Sequence, residues 1–356
     1  STIAGMALAN VAASGAGALY VSGEESAAQV RTRAERLGEA ALEVPMLAEP
    51  SLDAVLTTIE SERPAVCAID SVQTLAVGDA APGSVAAVKQ ATGALLEAAK
   101  RLDVTMILIG HVTKQGSLAG PRALEHLVDC VLHFEGERER TFRTVRALKN
   151  RFGATSEVGV FEMREGGLVE VADASARFVG EASPAPGSVV LCAMEGTRPL
   201  LVEVQALVAP TEVVPPRRTA TGVDRNRLAL VLAVLARHAG INLSAADVFV
   251  NVAGGVRVDE PGADLAIALA VASAHSGTPL HSDGTPLACF GEVGLTGELR
   301  YVAHADRRLG EARKFGLPRV LAPTPAEGKP KGLETADTIA AALRAAGTRR
   351  KLRAAA

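Results

Sequence analysis

The sequence has no tryptophan, only two tyrosines and only four cysteines among its 356 residues. Because aromatic side chains are the usual platforms for stacking unpaired bases, their shortage argues against a base-stacking surface. The cysteines are far apart and form no CxxC pair, so they predict neither a zinc site nor a disulfide framework and favour a reducing cytoplasm. They are Cys67, Cys130, Cys192 and Cys289.

Long apolar runs and a large net charge are missing as well. No apolar stretch approaches the roughly 18 residues that a membrane helix needs, so no membrane partner is expected. The formal net charge of -3 argues against a basic coat over the whole protein, and any contact with nucleic acid must come from local patches. With 48% hydrophobic and 22% charged residues, the composition is that of a globular protein long enough for two domains.

Short apolar runs alternate with amphipathic helical segments through the first half of the chain. This alternation predicts an α/β domain with a doubly wound, mainly parallel sheet over residues 1–180. Residues 181–187 are rich in proline, alanine and serine and have the composition of a linker. Beyond it the order of strands and helices is that of an α+β domain over residues 188–345, followed by a basic tail at 346–356.

The segment at residues 64–71 organises the first half. An apolar run that ends in an acid, here Asp70, is typical of a buried parallel strand that brings a carboxylate to the edge of a sheet. In nucleotide-hydrolysing proteins the magnesium-binding acid lies at such an edge. The alternative is that Asp70 only caps the following loop.

Glu24 also lies just past a predicted strand, Ala18 to Val21. A carboxylate at that place can orient a water molecule toward a phosphate. The alternative is that Ser22 and the neighbouring acids merely cap the next helix and complement its dipole.

Polar residues follow other predicted strands. His111 comes directly after an apolar run and is placed to sense a phosphate, and a glycine-containing loop with Lys114 and Arg122 can follow a nucleic-acid backbone. Lys149 and Arg151 bracket an asparagine at a strand tip, a combination that suits phosphate recognition. Solvated charges on a surface loop and at a strand end are the alternatives.

Three stretches together resemble one family. They are Tyr-Val-Ser-Gly-Glu-Glu-Ser at residues 20–26, the strand that ends in Asp70, and Lys-Asn-Arg-Phe-Gly at residues 149–153. The chain resembles the bacterial RadA (Sms) family of recombination and DNA-repair proteins, with the last stretch distinctive for that family. The resemblance implies a RecA-like ATPase domain followed by a Lon-protease-like domain of ribosomal S5-like fold.

The resemblance also implies roles for individual residues, with ATP and Mg²⁺ as the cofactors. Ser1 and Thr2 match the end of the phosphate-binding GxxxxGK[ST] loop, and Ser1 and Asp70 would be the magnesium ligands. Glu24 would activate the attacking water, and His111 would be the sensor. The rest of that loop and the family's four-cysteine Zn²⁺ finger are absent from the sequence, which we therefore expect to be truncated at its N-terminus.

The same resemblance assigns the cations. Lys114 to Arg122 would be the DNA-facing loop, while Lys149 and Arg151 would reach the DNA or the nucleotide of a neighbouring subunit. The partners implied are single-stranded and branched DNA, further copies of the chain in a homo-hexamer, and the RecA recombinase.

The second domain lacks the residues of a Lon-type protease. In the segment 259–264, Gly262 takes the place of the nucleophilic serine. The position of the lysine that would activate it aligns with Asp306, and a shift of two residues selects Arg308; neither is a usable base. We therefore expect no peptidase activity.

Arginines recur along the second half, and Arg217 and Arg218 are candidates for a DNA-facing surface. The function expected from the sequence is that of an ATP-driven DNA motor which processes branched recombination intermediates. Two alternatives stay open: a non-catalytic DNA-binding scaffold and a Lon-like serine peptidase.

Overall fold

The chain divides into two compact units in a computed structural model that describes residues 1–81, 83–111, 124–135, 142–180, 182, 185–282, 284–325 and 332–347. The first unit comprises Ser1–His133, Ala147–Thr155 and Phe161–Glu170. The second comprises Phe134–Arg146, Ser156–Val160 and Val171–Ala356. The linker predicted at 181–187 lies within the second unit's range and is only partly described, so the predicted domain boundaries stay a prediction.

The first unit contains a four-stranded, fully parallel sheet. Its spatial order is β2-β1-β3-β4. The strands are β1 Ala18–Ser22, β2 Met46–Ala48, β3 Val66–Asp70 and β4 Thr105–Ile109. The helices of this part of the chain are α1 Thr2–Ala13, α2 Ala27–Leu37, α3 Glu39–Leu42, α4 Leu52–Glu62 and α5 Val85–Leu102.

Local sequence signals explain where these elements begin. Ser26 accepts a hydrogen bond from the backbone of Gln29 and forms a capping box at the start of α2. Ser84 caps α5 in the same way through the backbone of Ala87. Strand β1 is buried along its whole length, as expected for a parallel strand covered on both faces.

A second sheet of four strands follows, in the order β5-β6-β7-β8, and the division between the two units runs through its residues. Its strands are β5 Cys130–Glu135, β6 Phe142–Asn150, β7 Val158–Arg164 and β8 Gly167–Glu170.

The second unit is built on a mixed seven-stranded sheet with the order β11-β12-β10-β9-β15-β18-β19. These strands are β9 Ser188–Glu195, β10 Arg198–Pro210, β11 Arg218–Thr221, β12 Ala246–Val252, β15 Ala288–Cys289, β18 Val320–Pro323 and β19 Leu333–Ala336. Two short antiparallel pairs are β13 His281–Ser282 with β14 Thr285–Pro286, and β16 Glu292–Val293 with β17 Leu299–Arg300.

Helices cover this sheet. They are α6 Ala174–Val179, α7 Arg225–Ala239, α8 Asp264–Ser276, α9 Ala305–Lys314 and α10 Ile339–Ala345. Helix α8 is almost entirely apolar and its first ten residues are all buried, so it is the central helix of the second core.

The observed architecture confirms the mixed α/β class with a parallel sheet. None of the helices within the described residues is both long enough and apolar enough to span a bilayer.

Helix α7 offers a test of the second core. Leu235 is fully buried, whereas Leu230 on the same helix is 52% exposed. We expect Leu235→Ala to lower the free energy of unfolding by about 2 to 5 kcal/mol through loss of apolar contacts and the cavity left behind. The matched control Leu230→Ala should change it by less than about 0.5 kcal/mol. Urea unfolding followed by circular dichroism measures both, and equal losses would contradict the assigned core.

Candidate functional site

The carboxyl ends of β1 and β3 lie side by side. The two strands pair in parallel with Ser22 opposite Asp70, and the backbone N–H of Gly23 donates to the carbonyl oxygen of Asp70 at 2.9 Å. Because parallel strands end at the same edge of a sheet, the acids that follow β1 and end β3 are brought together there. This edge is the candidate site.

Asp70 is 5% exposed and accepts a 2.5 Å hydrogen bond on Oδ2 from the hydroxyl of Tyr20. Burial raises the pKa of Asp70, but hydrogen bonds from Ser1 and Tyr20, followed by the nearby positive charges of the N-terminal amine and of Arg33, outweigh it, so the net pKa is lowered. The carboxyl group is therefore an anion at neutral pH.

Glu24 is hydrogen-bonded to Ser71, the residue that follows Asp70. The hydroxyl of Ser71, which is fully buried, donates to Oε1 of Glu24 at 2.7 Å. Nε2 of His111 lies 3.6 Å from the same oxygen. The Glu24 side chain remains 40% exposed, so solvent can reach the carboxylate that these groups hold.

The turn between Ser22 and Glu24 requires a glycine. A Cβ atom on Gly23 would lie 2.4 Å from Oγ1 of Thr74, closer than atoms can approach. Thr74 is the last residue of the 3₁₀ turn Val72–Thr74. Its hydroxyl donates a hydrogen bond to the carbonyl oxygen of Ser71 at 2.8 Å. Close packing of the two turns thus fixes the backbone that carries Glu24.

Lys149 and Arg151, the cations predicted at the strand tip, bind groups close to them. Nζ of Lys149 donates to the carbonyl oxygens of Glu125 and Val128 at 2.8 and 2.7 Å. Arg151 pairs with Asp129 at 2.8 Å. No contact within the described residues joins Lys149 or Arg151 to the candidate site.

Two further predicted residues lie outside the described residues: Lys114 and Arg122, the cations of the predicted DNA-facing loop. At the start of the chain, Ser1 precedes helix α1 as its N-cap and Thr2 is the first residue of that helix.

Sequence reasoning missed Tyr20, Arg33 and Ser71 as parts of this site. Tyr20 is one of only two tyrosines and lies in an otherwise apolar strand, which was a usable signal. Arg33 gave no such signal because an arginine on an amphipathic helix is ordinarily solvated.

The site suits a magnesium ion only together with a phosphate ligand. No three His, Cys, Asp or Glu residues in the described part of the chain are grouped so that they could hold a metal ion. Mg²⁺ commonly binds through one or two carboxylates, several waters and substrate phosphates, and a single buried, ionised Asp70 fits that arrangement.

In the second unit, Gly262 lies where the sequence aligns a nucleophilic serine. Arg308, and not Asp306, is brought beside it: a Cβ on Gly262 would be 3.3 Å from Nη1 of Arg308 and 3.0 Å from Oε2 of Glu260. Asp306 is exposed on the first turn of α9. Of the two residues that the sequence alignment allowed at this position, Arg308 is therefore the one that lies beside Gly262 in the tertiary structure.

Arg308 is committed to structural contacts. Its guanidinium binds both carboxylate oxygens of Glu260, at 2.8 and 2.5 Å, donates to the carbonyl oxygen of Cys192 at 2.6 Å, and lies 5.3 Å from the ring centroid of Phe290. The backbone N–H of Met194 donates to Glu260 at 2.7 Å. The Arg308 side chain is 2% exposed, so the expected position of a nucleophile and its base holds a buried ion pair.

Arg217 and Arg218 differ in their surroundings. The Arg218 guanidinium donates to the carbonyl oxygens of Leu243, at 2.6 Å, and of Ala246. Arg217 is exposed, and its backbone N–H is bound by Asp247 at 2.7 Å. Of these two arginines, Arg217 is the one that presents an exposed cation.

The fold and the site define a mixed α/β protein with two carboxylates at the carboxyl ends of neighbouring parallel strands. The chain is 46% identical over 353 residues to the DNA repair protein RadA of Bacillus subtilis, covering 97% of this chain and 76% of that protein. It is 49% identical over 309 residues to the RadA of Streptococcus pyogenes (86% and 67%) and 47% identical over 337 residues to that of Listeria monocytogenes (92% and 73%). The chain belongs to the RadA family. No protein-family model matches it.

The buried ion pair gives a stability prediction. Removing one partner leaves an uncompensated charge, so we expect Arg308→Met to lower the free energy of unfolding by about 3 to 5 kcal/mol. The double variant Arg308→Met/Glu260→Leu should lose much less, because both charges are then gone.

Arg307→Met is the matched control, since Arg307 is exposed and its guanidinium donates to the carbonyl oxygen of Thr197 at 2.8 Å. Urea titrations of the variants give the comparison. A single variant as stable as the Arg307 control would show that the pair contributes nothing.

Proposed function

We propose that this chain is the ATP-hydrolysing and DNA-binding part of a DNA repair protein that acts in homologous recombination and processes branched intermediates. The observation that carries the proposal is that Glu24 and Asp70 lie at the same edge of a parallel sheet, and that Ser71, the residue after Asp70, donates a hydrogen bond to Glu24 at 2.7 Å. The similarity to DNA repair proteins of the RadA family supports the biological role.

The arrangement supports a division of labour between the two acids. Glu24 is half-exposed and accepts a hydrogen bond, so its remaining lone pairs can orient a water molecule and accept its proton. Asp70 is buried, ionised and held by Tyr20, which suits a fixed carboxylate that binds a hydrated cation. Nε2 of His111 lies 3.6 Å from Oε1 of Glu24, which is close enough for the imidazole to sense whether that carboxylate is bound to a water or a ligand.

ATP and Mg²⁺ are the cofactors in this proposal. When bound, the metal ion neutralises charge that develops on the phosphates during transfer to water. Asp70 and the hydroxyl of Ser1 are the groups of this chain that would hold it, and Thr2 adjoins the same phosphate-binding segment.

The parallel sheet of the first unit supports a RecA-like ATPase, and the mixed sheet of the second supports a Lon-protease-like domain. We propose that the second domain is not a peptidase. Gly262 carries no nucleophile, and Arg308 stays protonated and is bound by Glu260, so it cannot serve as a base.

The partners proposed are single-stranded and branched DNA, further copies of the chain in a hexameric ring and the RecA recombinase, in the cytoplasm. The exposed side chain of Arg217 supports a DNA contact in the second unit. Lys149 and Arg151 stay proposed phosphate contacts, for which their present partners would have to be exchanged.

The decisive test of the ATPase is Glu24→Gln in the full-length protein. Loss of the acceptor that activates water should lower the rate of DNA-stimulated ATP hydrolysis by about a hundredfold or more while nucleotide still binds. Phosphate release with and without single-stranded DNA measures the rate, and a fluorescent ATP analogue measures binding.

Glu62→Gln, at the last residue of α4, is the control and should behave like the wild type. A wild-type protein that binds DNA and hydrolyses no ATP would refute the motor and favour the scaffold. Unchanged hydrolysis in Glu24→Gln would remove Glu24 from the mechanism.

Arg217 and Arg218 form a matched pair for the DNA surface. Arg217→Ala should weaken DNA binding at low salt and reduce the slope of log affinity against log salt concentration by about one, the expected value for one lost phosphate contact. Arg218→Ala should lower the melting temperature, because it frees the three carbonyl groups that its guanidinium binds, those of Arg217, Leu243 and Ala246. Fluorescence anisotropy at several salt concentrations checks the first outcome, and an unchanged slope for Arg217→Ala would contradict it.

A further inference from the structure

Tyr20 carries a buried hydroxyl in the middle of strand β1, which is buried along its whole length. It is 5% exposed, and its hydroxyl donates to Oδ2 of Asp70 across the sheet at 2.5 Å. In the parallel pairing of β1 with β3, Tyr20 is opposite Ala68 and Ser22 is opposite Asp70, so Tyr20 and Asp70 point to the same face of the sheet. A phenylalanine would fill the same volume without a buried hydroxyl.

Arg33 determines the direction of that hydroxyl. Its Nη2 donates to the Tyr20 oxygen at 3.0 Å, and its guanidinium carbon lies 5.7 Å from the centroid of the Tyr20 ring. Since the tyrosine oxygen accepts from arginine, which has no acceptor of its own, the phenolic hydrogen is free to be donated to Asp70.

Glu25 completes the arrangement. It forms an ion pair with Arg33 at 2.5 Å, and the Arg33 side chain is 16% exposed. The backbone N–H of Glu25 also donates to the hydroxyl of Ser22 at 2.9 Å, which ties it to the end of β1. Tyr20, Arg33 and Glu25 therefore each have two hydrogen-bonding or ionic partners in this chain of contacts.

We propose that Tyr20, Arg33 and Glu25 form a positioning relay that holds the Asp70 carboxylate in the orientation required for a Mg²⁺–nucleotide complex. The proposal rests on the ATPase function proposed above. The hydroxyl of Tyr20 binds Oδ2, so Oδ1 is the oxygen that would be offered to a hydrated metal ion. None of the three touches the reacting atoms, so they are positioning residues.

The relay has a specific physical consequence. Partners that bind a metal-holding carboxylate from behind fix its orientation, and their loss commonly weakens metal binding by about tenfold or more. A residue that serves only packing would change stability and leave the metal requirement alone.

The test uses the full-length protein with Tyr20→Phe and Arg33→Gln. Arg31→Gln is the matched control, because Arg31 is on the same helix and its side chain is 75% exposed. The first readout is the Mg²⁺ concentration at which a non-hydrolysable ATP analogue gives half of its maximal rise in melting temperature. The second is the rate of ATP hydrolysis as a function of Mg²⁺ and of ATP.

Tyr20→Phe should need about tenfold more Mg²⁺ for half-maximal stabilisation, with its melting temperature in the absence of ligand little changed. Arg33→Gln should shift the requirement in the same direction by a smaller factor, and Arg31→Gln should match the wild type. A lower melting temperature with an unchanged Mg²⁺ requirement would overturn the proposal and leave Tyr20 a packing residue.

If Tyr20→Phe does not fold, an unchanged Mg²⁺ requirement in Arg33→Gln overturns the proposal equally. A wild-type protein with neither Mg²⁺-dependent stabilisation nor hydrolysis would refute the ATPase itself, and the relay with it. A fully active wild type beside an unaltered Tyr20→Phe refutes the relay alone.

Discussion

The in-register parallel pairing of β1 and β3 is the constraint on which the candidate site depends. It places Ser22 opposite Asp70 and leaves Glu24 in the turn immediately beyond. A slip of one residue would turn Tyr20 away from Asp70 to the other face of the sheet. The backbone hydrogen bond from Gly23 to Asp70 and the contact of Gly23 with Thr74 hold the two strand ends at this register.

The two units differ in whether their buried carboxylates remain accessible to a ligand. Asp70 has neighbours that stabilise its ionised form, while the Glu24 carboxylate stays 40% exposed and accessible to water, which is the arrangement that chemistry on a phosphate requires. In the second unit, both carboxylate oxygens of Glu260 are bound by Arg308, and the arginine is also engaged by a carbonyl oxygen. Because both carboxylate oxygens and the guanidinium are bound, this ion pair offers no reactive group.

Much of the fold follows from local patterns. Leucines and valines recur at helical spacing over residues 225–239, and the structure has a helix with these bounds, whose first turn is capped by Asp224. The strand that ends in Asp70 is likewise observed where an apolar run meets a carboxylate. The apolar run from Leu127 to Phe134 indicates a strand, but the observed strand runs from Cys130 to Glu135. The ends of strands depend on pairing with distant residues and not on composition alone.

Most helices and strands, the mixed α/β class and the acids at strand ends can be predicted from the amino-acid sequence, because hydrophobic periodicity and the residue after an apolar run are local properties. Which side chains meet is visible only once the elements are packed. Tyr20 reaches Asp70 across 50 positions of the chain, and Arg308 reaches Glu260 across 48. Sequence spacing alone left Asp306 and Arg308 as alternatives for the position of the catalytic lysine. The structure separates them, because Arg308 is buried and Asp306 is exposed. Contacts of this kind arise from packing between elements, which no local pattern encodes.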